Sequence, residues 1–181
     1  MSRPDGPILV IGVGNVLLRD EGVGVRVARE IHRLAAEGQL EIPEGTRVVD
    51  GGTLGLDLLP LIEDARALLM IDAVDLRSTP GTVRVIAGNE LHVALAGHVS
   101  PHQVGIGDLL AAARLMATLP DAVALVAIQP ADISVDLALS PDVEAAVPEA
   151  VLVAADQLHV LAGAVGTGPV VDRSVATAAL G

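Results

Sequence analysis

A glycine-rich segment after the first apolar run constrains the fold of this chain more than any other feature. The apolar run is Ile8 to Ile11, and the segment that follows it, Gly12 to Gly24, leads into a helical pattern of apolar residues. Ligand sites in α/β folds tend to form at such strand-to-helix junctions. The spacing does not match the dinucleotide fingerprint Gly-x-Gly-x-x-Gly, because Leu17 occupies the place of the third glycine.

Two acidic residues, Asp20 and Glu21, lie at the entrance to the helix that this pattern predicts. A bound phosphate would need bare amide groups at this place. Carboxylates repel a phosphate and attract a cation instead. The segment therefore predicts a cation site and not a phosphate site.

The composition excludes several kinds of chemistry. The chain has 181 residues, which is most simply one domain. It contains no Cys, which excludes thiol nucleophiles, disulfides and thiolate metal sites. All of its basic residues are Arg, and the absence of Lys excludes a Schiff base and a P-loop lysine. Carboxylates, His, Ser, Thr, Arg and backbone amides remain available for catalysis.

The charge and hydropathy favour a soluble cytoplasmic protein. A net charge of -12 argues against nucleic acid as a partner, because phosphate neutralisation needs basic patches. The mean hydropathy of +0.59 is high. However, no uninterrupted apolar stretch approaches the ~20 residues that a spanning helix needs. We therefore expect neither a membrane nor a nucleic acid as a partner.

The apolar patterns alternate between strand-like and helix-like along the chain. They predict an α/β fold, a single-domain three-layer sandwich with a mostly parallel, twisted sheet of about five strands and helices on both faces. The predicted strands are Ile8 to Gly12, Thr46 to Val49, Ala67 to Ile71, Thr82 to Ile86 and Val123 to Ile128. The predicted helices are about Glu21 to Ala36, Leu56 to Asp64, Ile106 to Leu119 and Pro141 to Val165. We expect a domain over residues 1–166 and a flexible tail over residues 167–181.

Acidic residues follow several of the predicted strands. Asp20 and Glu21 follow the first strand, Asp50 ends the second and Asp72 ends the third, while His102 lies in a loop before a helix. Because parallel strands share one carboxyl edge, these side chains are expected to meet in the crevice where such sheets bind ligands. Two carboxylates and an imidazole suit a borderline divalent metal such as nickel or zinc. Without a cation, Glu21 and Asp72 would raise each other's pKa, and one would tend to be protonated.

Each of these residues also has a structural explanation. Glu21 would be favoured in the first turn of a helix by the macrodipole, and we favour an N-cap role for Asp20. Asp72 could cap a turn, and the Asp50 segment could be a tight turn. A single loop histidine such as His102 is most often solvated or only hydrogen-bonded. The sequence has no His-Glu-x-x-His and no Gly-x-Ser-x-Gly, so it carries no standard hydrolase motif.

Four motifs in order resemble those of the hydrogenase maturation endopeptidases. They are Gly12-x-Gly14-Asn15-x-Leu17-x-x-Asp20-Glu21-Gly22-x-Gly24, Asp50-Gly51-Gly52-Thr53, Asp72-Ala73 and Ser100-Pro101-His102-Gln103. The resemblance runs from about Ile8 to Val165. It implies an α/β endopeptidase that removes a C-terminal peptide from the precursor of a [NiFe]-hydrogenase large subunit after nickel insertion.

The resemblance also implies roles for particular residues. The family positions that contact nickel match Glu21, Asp72 and His102, which would be both metal ligands and catalytic residues. The positions that select the precursor match Asp50, Gly51, Gly52 and Thr53. The nickel would arrive with the substrate, so we expect no permanent cofactor. Two alternatives stay open, a chaperone that recognises the metallated precursor without cleaving it and a nucleotide-binding α/β enzyme.

Overall fold

The chain forms a five-stranded sheet between two layers of helices. A computed structural model describes residues 5–88, 90–91 and 104–166. The strands are β1 (Ile8–Val13), β2 (Thr46–Gly52), β3 (Ala67–Ala73), β4 (Val83–Ala87) and β5 (Ala122–Ile128). Their order across the sheet is β2-β1-β3-β5-β4. All neighbouring strands pair in parallel except β4, the outermost strand on one side, which runs antiparallel to β5.

In the described part of the chain, four α-helices and two short 3-10 turns follow these strands with bounds that can be given. The α-helices are α1 (Val23–Ala36), α2 (Leu59–Glu63), α3 (Val104–Leu115) and α4 (Pro141–Gly166). The 3-10 turns are Arg19–Gly22, before α1, and Gly55–Leu58, before α2. The predicted tail and the predicted loop that carries His102 lie outside the described residues.

The two faces of the sheet build two separate cores. Every residue of β1 and β3 is buried, as expected for central parallel strands that helices cover on both sides. Residues of α1 and α4 pack on one face together with Leu69 and Ile71 of β3. Residues of α2 and α3 pack on the other face together with Leu68 and Met70. This arrangement confirms the predicted three-layer α/β class.

Several predicted helix boundaries differ from the structure. The predicted first helix began at about Glu21, whereas α1 begins at Val23 because Arg19–Gly22 forms a 3-10 turn. The predicted second helix began at about Leu56, whereas α2 begins at Leu59 after the Gly55–Leu58 turn. The third helix ends at Leu115 and not at Leu119. Ala117 adopts a left-handed conformation with φ 56° there, and the amide of Thr118 closes the helix by donating to Ala113.

The last helix is unusually long and apolar. Among the described residues, the stretch Pro141–Ala164 of α4 is the one helix that is long and apolar enough to span a membrane. In its most apolar 18 residues, 44% are buried inside the protein. Its buried side chains, Val143, Val147, Ala154 and Leu158 among them, pack on the sheet. The packing accounts for the apolar composition. The helix runs through Pro148 as one element.

Candidate active site

The glycines of the first motif let the turn before α1 lie directly over the ends of the central strands. A Cβ at Gly24 would overlap the carbonyl oxygens of Ile71 in β3 and Val13 in β1. Gly14 has φ +130°, and a Cβ there would overlap the carbonyl oxygen of Glu21. Only glycine permits these close approaches. They bring the Arg19–Gly22 turn to the carboxyl end of β3, where Asp72 lies.

Glu21 and Asp72 lie close enough together to interact electrostatically. Asp72 is buried near the end of β3, and the Oε2 atom of Glu21 is buried as well. Burial raises the pKa of the Asp72 carboxyl well above its ordinary value, and the charge of Glu21 raises it further, against an opposing hydrogen bond from the Ala73 amide. The sequence predicted that Glu21 and Asp72 raise each other's pKa, and the structure shows this effect at Asp72. The Asp72 carboxyl therefore resists ionisation.

The third predicted ligand cannot be placed next to this pair. His102 lies outside the described residues, and within those residues no group of three or more His, Cys, Asp or Glu side chains is arranged to hold a metal ion. Alternation along β3 places Asp72 on the face of the sheet that Leu68 and Met70 share with α3. The role of His102 stays a prediction.

Asp20 has a different role from the one expected. The predicted N-cap is wrong, because α1 has Gly22 at its N-cap and no side chain caps it. Asp20 is fully buried, and its carboxylate accepts bonds from the Ala131 and Asp132 amides at 2.9 Å each. It also accepts from the Ser140 amide at 2.6 Å and from the Ser140 hydroxyl at 2.8 Å. Burial alone would raise the pKa of Asp20, but the bonds from Ser140, Asp132 and Ala131 outweigh it and hold the pKa below its ordinary value.

The partners of Asp20 belong to a loop that sequence reasoning left without a role. This loop, residues 129–140, follows β5 and lies against the Arg19–Gly22 turn. Arg19 donates its amide to Asp136 at 2.9 Å, and its guanidinium pairs with Asp132 at 3.1 Å and with Asp136 at 3.7 Å. These contacts hold Arg19 at φ 49°, a conformation that costs energy for a residue with a side chain. The position of Glu21 is therefore set from two sides, by β3 and by this loop.

The Asp50–Thr53 segment contains the irregular end of β2 and the start of the turn that follows it, at the same edge of the sheet. The Oδ1 atom of Asp50 accepts from the Gly52 amide at 3.1 Å, and its Oδ2 atom accepts from the Arg29 guanidinium at 2.9 and 2.6 Å. A Cβ at Gly51 would lie 2.6 Å from the Ile11 side chain. Thr53 is exposed. The tight turn that the sequence favoured for Asp50 to Gly52 lies further along, because β2 continues to Gly52 and the turn is closed by the Leu54 amide, which donates to the Gly51 carbonyl at 3.0 Å. The predicted contact of this segment with substrate stays a prediction.

Comparison with known proteins places the chain in one family. The model of the HycI family, described as hydrogenase maturation protease, matches residues 25–157. The hydrogenase expression/formation protein HupD of Rhodobacter capsulatus is 38% identical over 93% of this chain and 81% of its own length. The hydrogenase 2 maturation protease of Escherichia coli (strain K12) is 35% identical over 79% of this chain and 85% of its own length.

Solved structures agree with these relatives. The hydrogenase maturating endopeptidase HybD of E. coli superimposes with a TM-score of 0.74 at 32% identity, covering 84% of this chain and 92% of that one. The [NiFe] hydrogenase maturation protease HybD of Thermococcus kodakarensis gives a TM-score of 0.65 at 28% identity, covering 82% and 96%. The chain belongs to the hydrogenase maturation protease family and is a peptidase.

Proposed function

We propose that this peptidase removes the C-terminal peptide from the nickel-loaded precursor of a [NiFe]-hydrogenase large subunit. The observation that carries the proposal is the pair formed by Glu21 and the buried Asp72 at the carboxyl edge of the sheet. These two carboxyl groups interact electrostatically, and Asp72 resists ionisation. A divalent cation between them would favour the ionised form of both. The membership in a protease family makes cleavage, and not chaperone binding alone, the favoured outcome.

The nickel in this proposal is part of the substrate. Glu21, Asp72 and His102 contact the nickel that the precursor already holds, so the enzyme needs no metal of its own. Carboxylate and imidazole together suit a borderline divalent ion. His102 precedes the first residue of α3 by two positions, and α3 packs on the face that Asp72 shares, which supports its inclusion.

Hydrolysis requires a positioned bond and a water molecule. Binding of the nickel orients the scissile peptide bond at the edge of the sheet, and a carboxylate of the pair accepts the proton of the attacking water. The water oxygen adds to the carbonyl carbon, and the carboxylate passes the proton on to the leaving nitrogen. The C–N bond then breaks to leave a new C-terminal carboxylate and a released peptide with a free amino group. Polarisation of the carbonyl by the nickel would add to this effect.

The remaining features of the site concern substrate choice and location. The Asp50–Thr53 segment lies at the same edge and is proposed to contact the precursor and to select the cognate one. Its exposed Thr53 and its fixed Asp50 suit contact with a protein surface. We place the enzyme in the cytoplasm, because the precursor is processed before its assembly and export.

The proposal predicts that cleavage depends on the nickel in the precursor. Wild-type enzyme incubated with nickel-loaded precursor is expected to lower the mass of the precursor by its C-terminal peptide, as read by intact-mass spectrometry. Metal-free precursor is expected to keep its mass, because the carboxylate pair then has no cation to bind.

Two results would contradict the proposal. Equal cleavage of the nickel-loaded and the metal-free precursor would show that cleavage does not depend on nickel. An unchanged mass of the nickel-loaded precursor would favour the chaperone alternative. The nucleotide-binding alternative would need tight NAD binding in a titration.

A further inference from the structure

Exposed apolar side chains concentrate around the candidate active site. Most of the large apolar side chains that are exposed among the described residues lie in three loops, those that follow β1, β2 and β5. These loops end the parallel strands, and so they share the carboxyl edge with Glu21. We call this set of side chains the apolar rim, and its members are Val16, Leu17, Leu54, Leu56, Ile133, Val135 and Leu137.

Backbone hydrogen bonds join the three loops that carry the apolar rim. The amide of Gly14 donates to the carbonyl of Gly52 at 2.9 Å and joins the first loop to the second. The amide of Asp136 donates to the carbonyl of Leu17 at 3.2 Å and joins the third loop to the first. Since Leu17 is only four residues before Glu21, the rim includes part of the same connection between β1 and α1 that carries Glu21.

The apolar rim is also held in place. Val135 and Leu137 are 84% and 77% exposed, yet they flank Asp136, whose backbone binds both Leu17 and Arg19. The buried Asp20 fixes both ends of the same loop, at Ala131 and at Ser140. Apolar side chains that are fixed at the surface around a site mark a binding surface more often than scattered ones do.

The charges of this region indicate what kind of partner fits. Asp132 and Asp136 both pair with the guanidinium of Arg19, which offsets one of their two negative charges and ties both carboxylates to the turn before α1. The rim therefore offers apolar contact beside one uncompensated negative charge. A peptide segment with apolar side chains is complementary to such a surface.

We infer that the apolar rim binds apolar side chains of the precursor next to the bond that is cleaved. The inference rests on the proposed function, because the bond must reach Glu21 and Asp72 and the adjoining chain then crosses the loops that surround them. The most exposed members of the rim, Val135 and Leu137, contribute most to this contact. They act on affinity for the precursor and not on the chemical step.

A pair of matched double variants tests the inference. V135A/L137A removes one Val and one Leu from the rim, and L152A/V160A removes one Leu and one Val from α4, where both are 60% exposed. With nickel-loaded precursor, V135A/L137A is expected to raise KM and the dissociation constant about tenfold with little change in kcat, as for two residues at the centre of an interface. L152A/V160A is expected to stay within about twofold of wild type, as for residues outside an interface.

Each outcome separates this inference from the proposed function. If wild type cleaves the precursor and the two double variants have the same KM and the same dissociation constant, the inference is overturned and the proposed function stays intact. If wild type binds the precursor without cleaving it, the proposed function fails, and the affinity ratio of the variants still decides the inference. No binding by wild type overturns both. Self-association of wild type in sedimentation that V135A/L137A abolishes would make a second copy the occupant and would overturn the inference.

Discussion

Asp72→Asn is expected to slow precursor cleavage by about a hundredfold or more, because losing even an outer partner of a metal ligand costs about 10- to 100-fold, and to make the protein more stable at neutral pH. The loss follows from the role of Asp72 as a nickel contact, because a neutral amide binds a divalent ion far more weakly than a carboxylate does. The gain follows from its burial, which disfavours the charged form.

The stability effect of Asp72 has a definite sign. Its pKa is raised in the folded protein, so the unfolded chain loses the proton at a lower pH than the folded chain does. Stability therefore falls as the pH rises from the ordinary carboxyl range through the folded pKa. Asparagine stays neutral throughout and removes this decline. The advantage of Asp72→Asn is absent at pH values below the ordinary carboxyl pKa and grows above it.

Urea unfolding at several pH values and cleavage followed by intact mass check the two parts separately. Asp121→Asn is the matched control, since Asp121 is exposed at the opposite edge of the sheet, just before β5. The control is expected to change neither property. Cleavage by Asp72→Asn at a rate close to that of wild type would contradict the assignment of Asp72 to the site.

Asp20→Asn is expected to lower the free energy of unfolding by about 3 kcal/mol, since a buried charged acceptor is replaced by a group that is partly a donor. The carboxylate accepts four bonds from Ala131, Asp132 and Ser140. An asparagine amide would turn its hydrogens towards at least one of these donors. The loop after β5 and the turn that carries Glu21 would then lose their main connection.

The pH dependence of this loss runs opposite to that of Asp72. The pKa of Asp20 is lowered in the folded protein, so its contribution is present above the ordinary carboxyl pKa and is lost as the pH falls through the folded pKa. The difference between Asp20→Asn and wild type is therefore largest near neutral pH. Urea unfolding from pH 7 downward measures it, with Asp156→Asn, exposed on α4, as control. A loss no larger than that of the control would contradict the anchoring role.

The central part of the fold was accessible from sequence because its signals are local. Apolar runs such as Ile8 to Ile11 and Ala67 to Ile71 match β1 and β3, where every residue is buried. The parallel arrangement then predicted that Glu21 and Asp72 would meet at one edge, and the structure brings them together. The antiparallel direction of β4 was less accessible, because the pattern of a strand does not give its direction.

The role of Asp20 was not accessible because its partners are far away in the chain. Asp20 and Ser140 are 120 residues apart, and nothing in the spacing around Asp20 indicates a partner at that distance. An acid before a helix is most often a cap, and that general rule gave the wrong result here. The loop of residues 129–140 has one feature in the sequence that sets it apart from an ordinary connection. Its apolar residues alternate with Asp132, Ser134 and Asp136.

The most direct test of nickel recognition is the ratio of two affinities. The dissociation constant of metal-free precursor is divided by that of nickel-loaded precursor, once for wild type and once for the double variant E21Q/D72N. Wild type is expected to bind the nickel-loaded form about a hundredfold more tightly or better, and the double variant is expected to bind both forms almost equally. If the double variant keeps the wild-type ratio, Glu21 and Asp72 do not bind the nickel of the precursor, and the proposed nickel recognition is wrong.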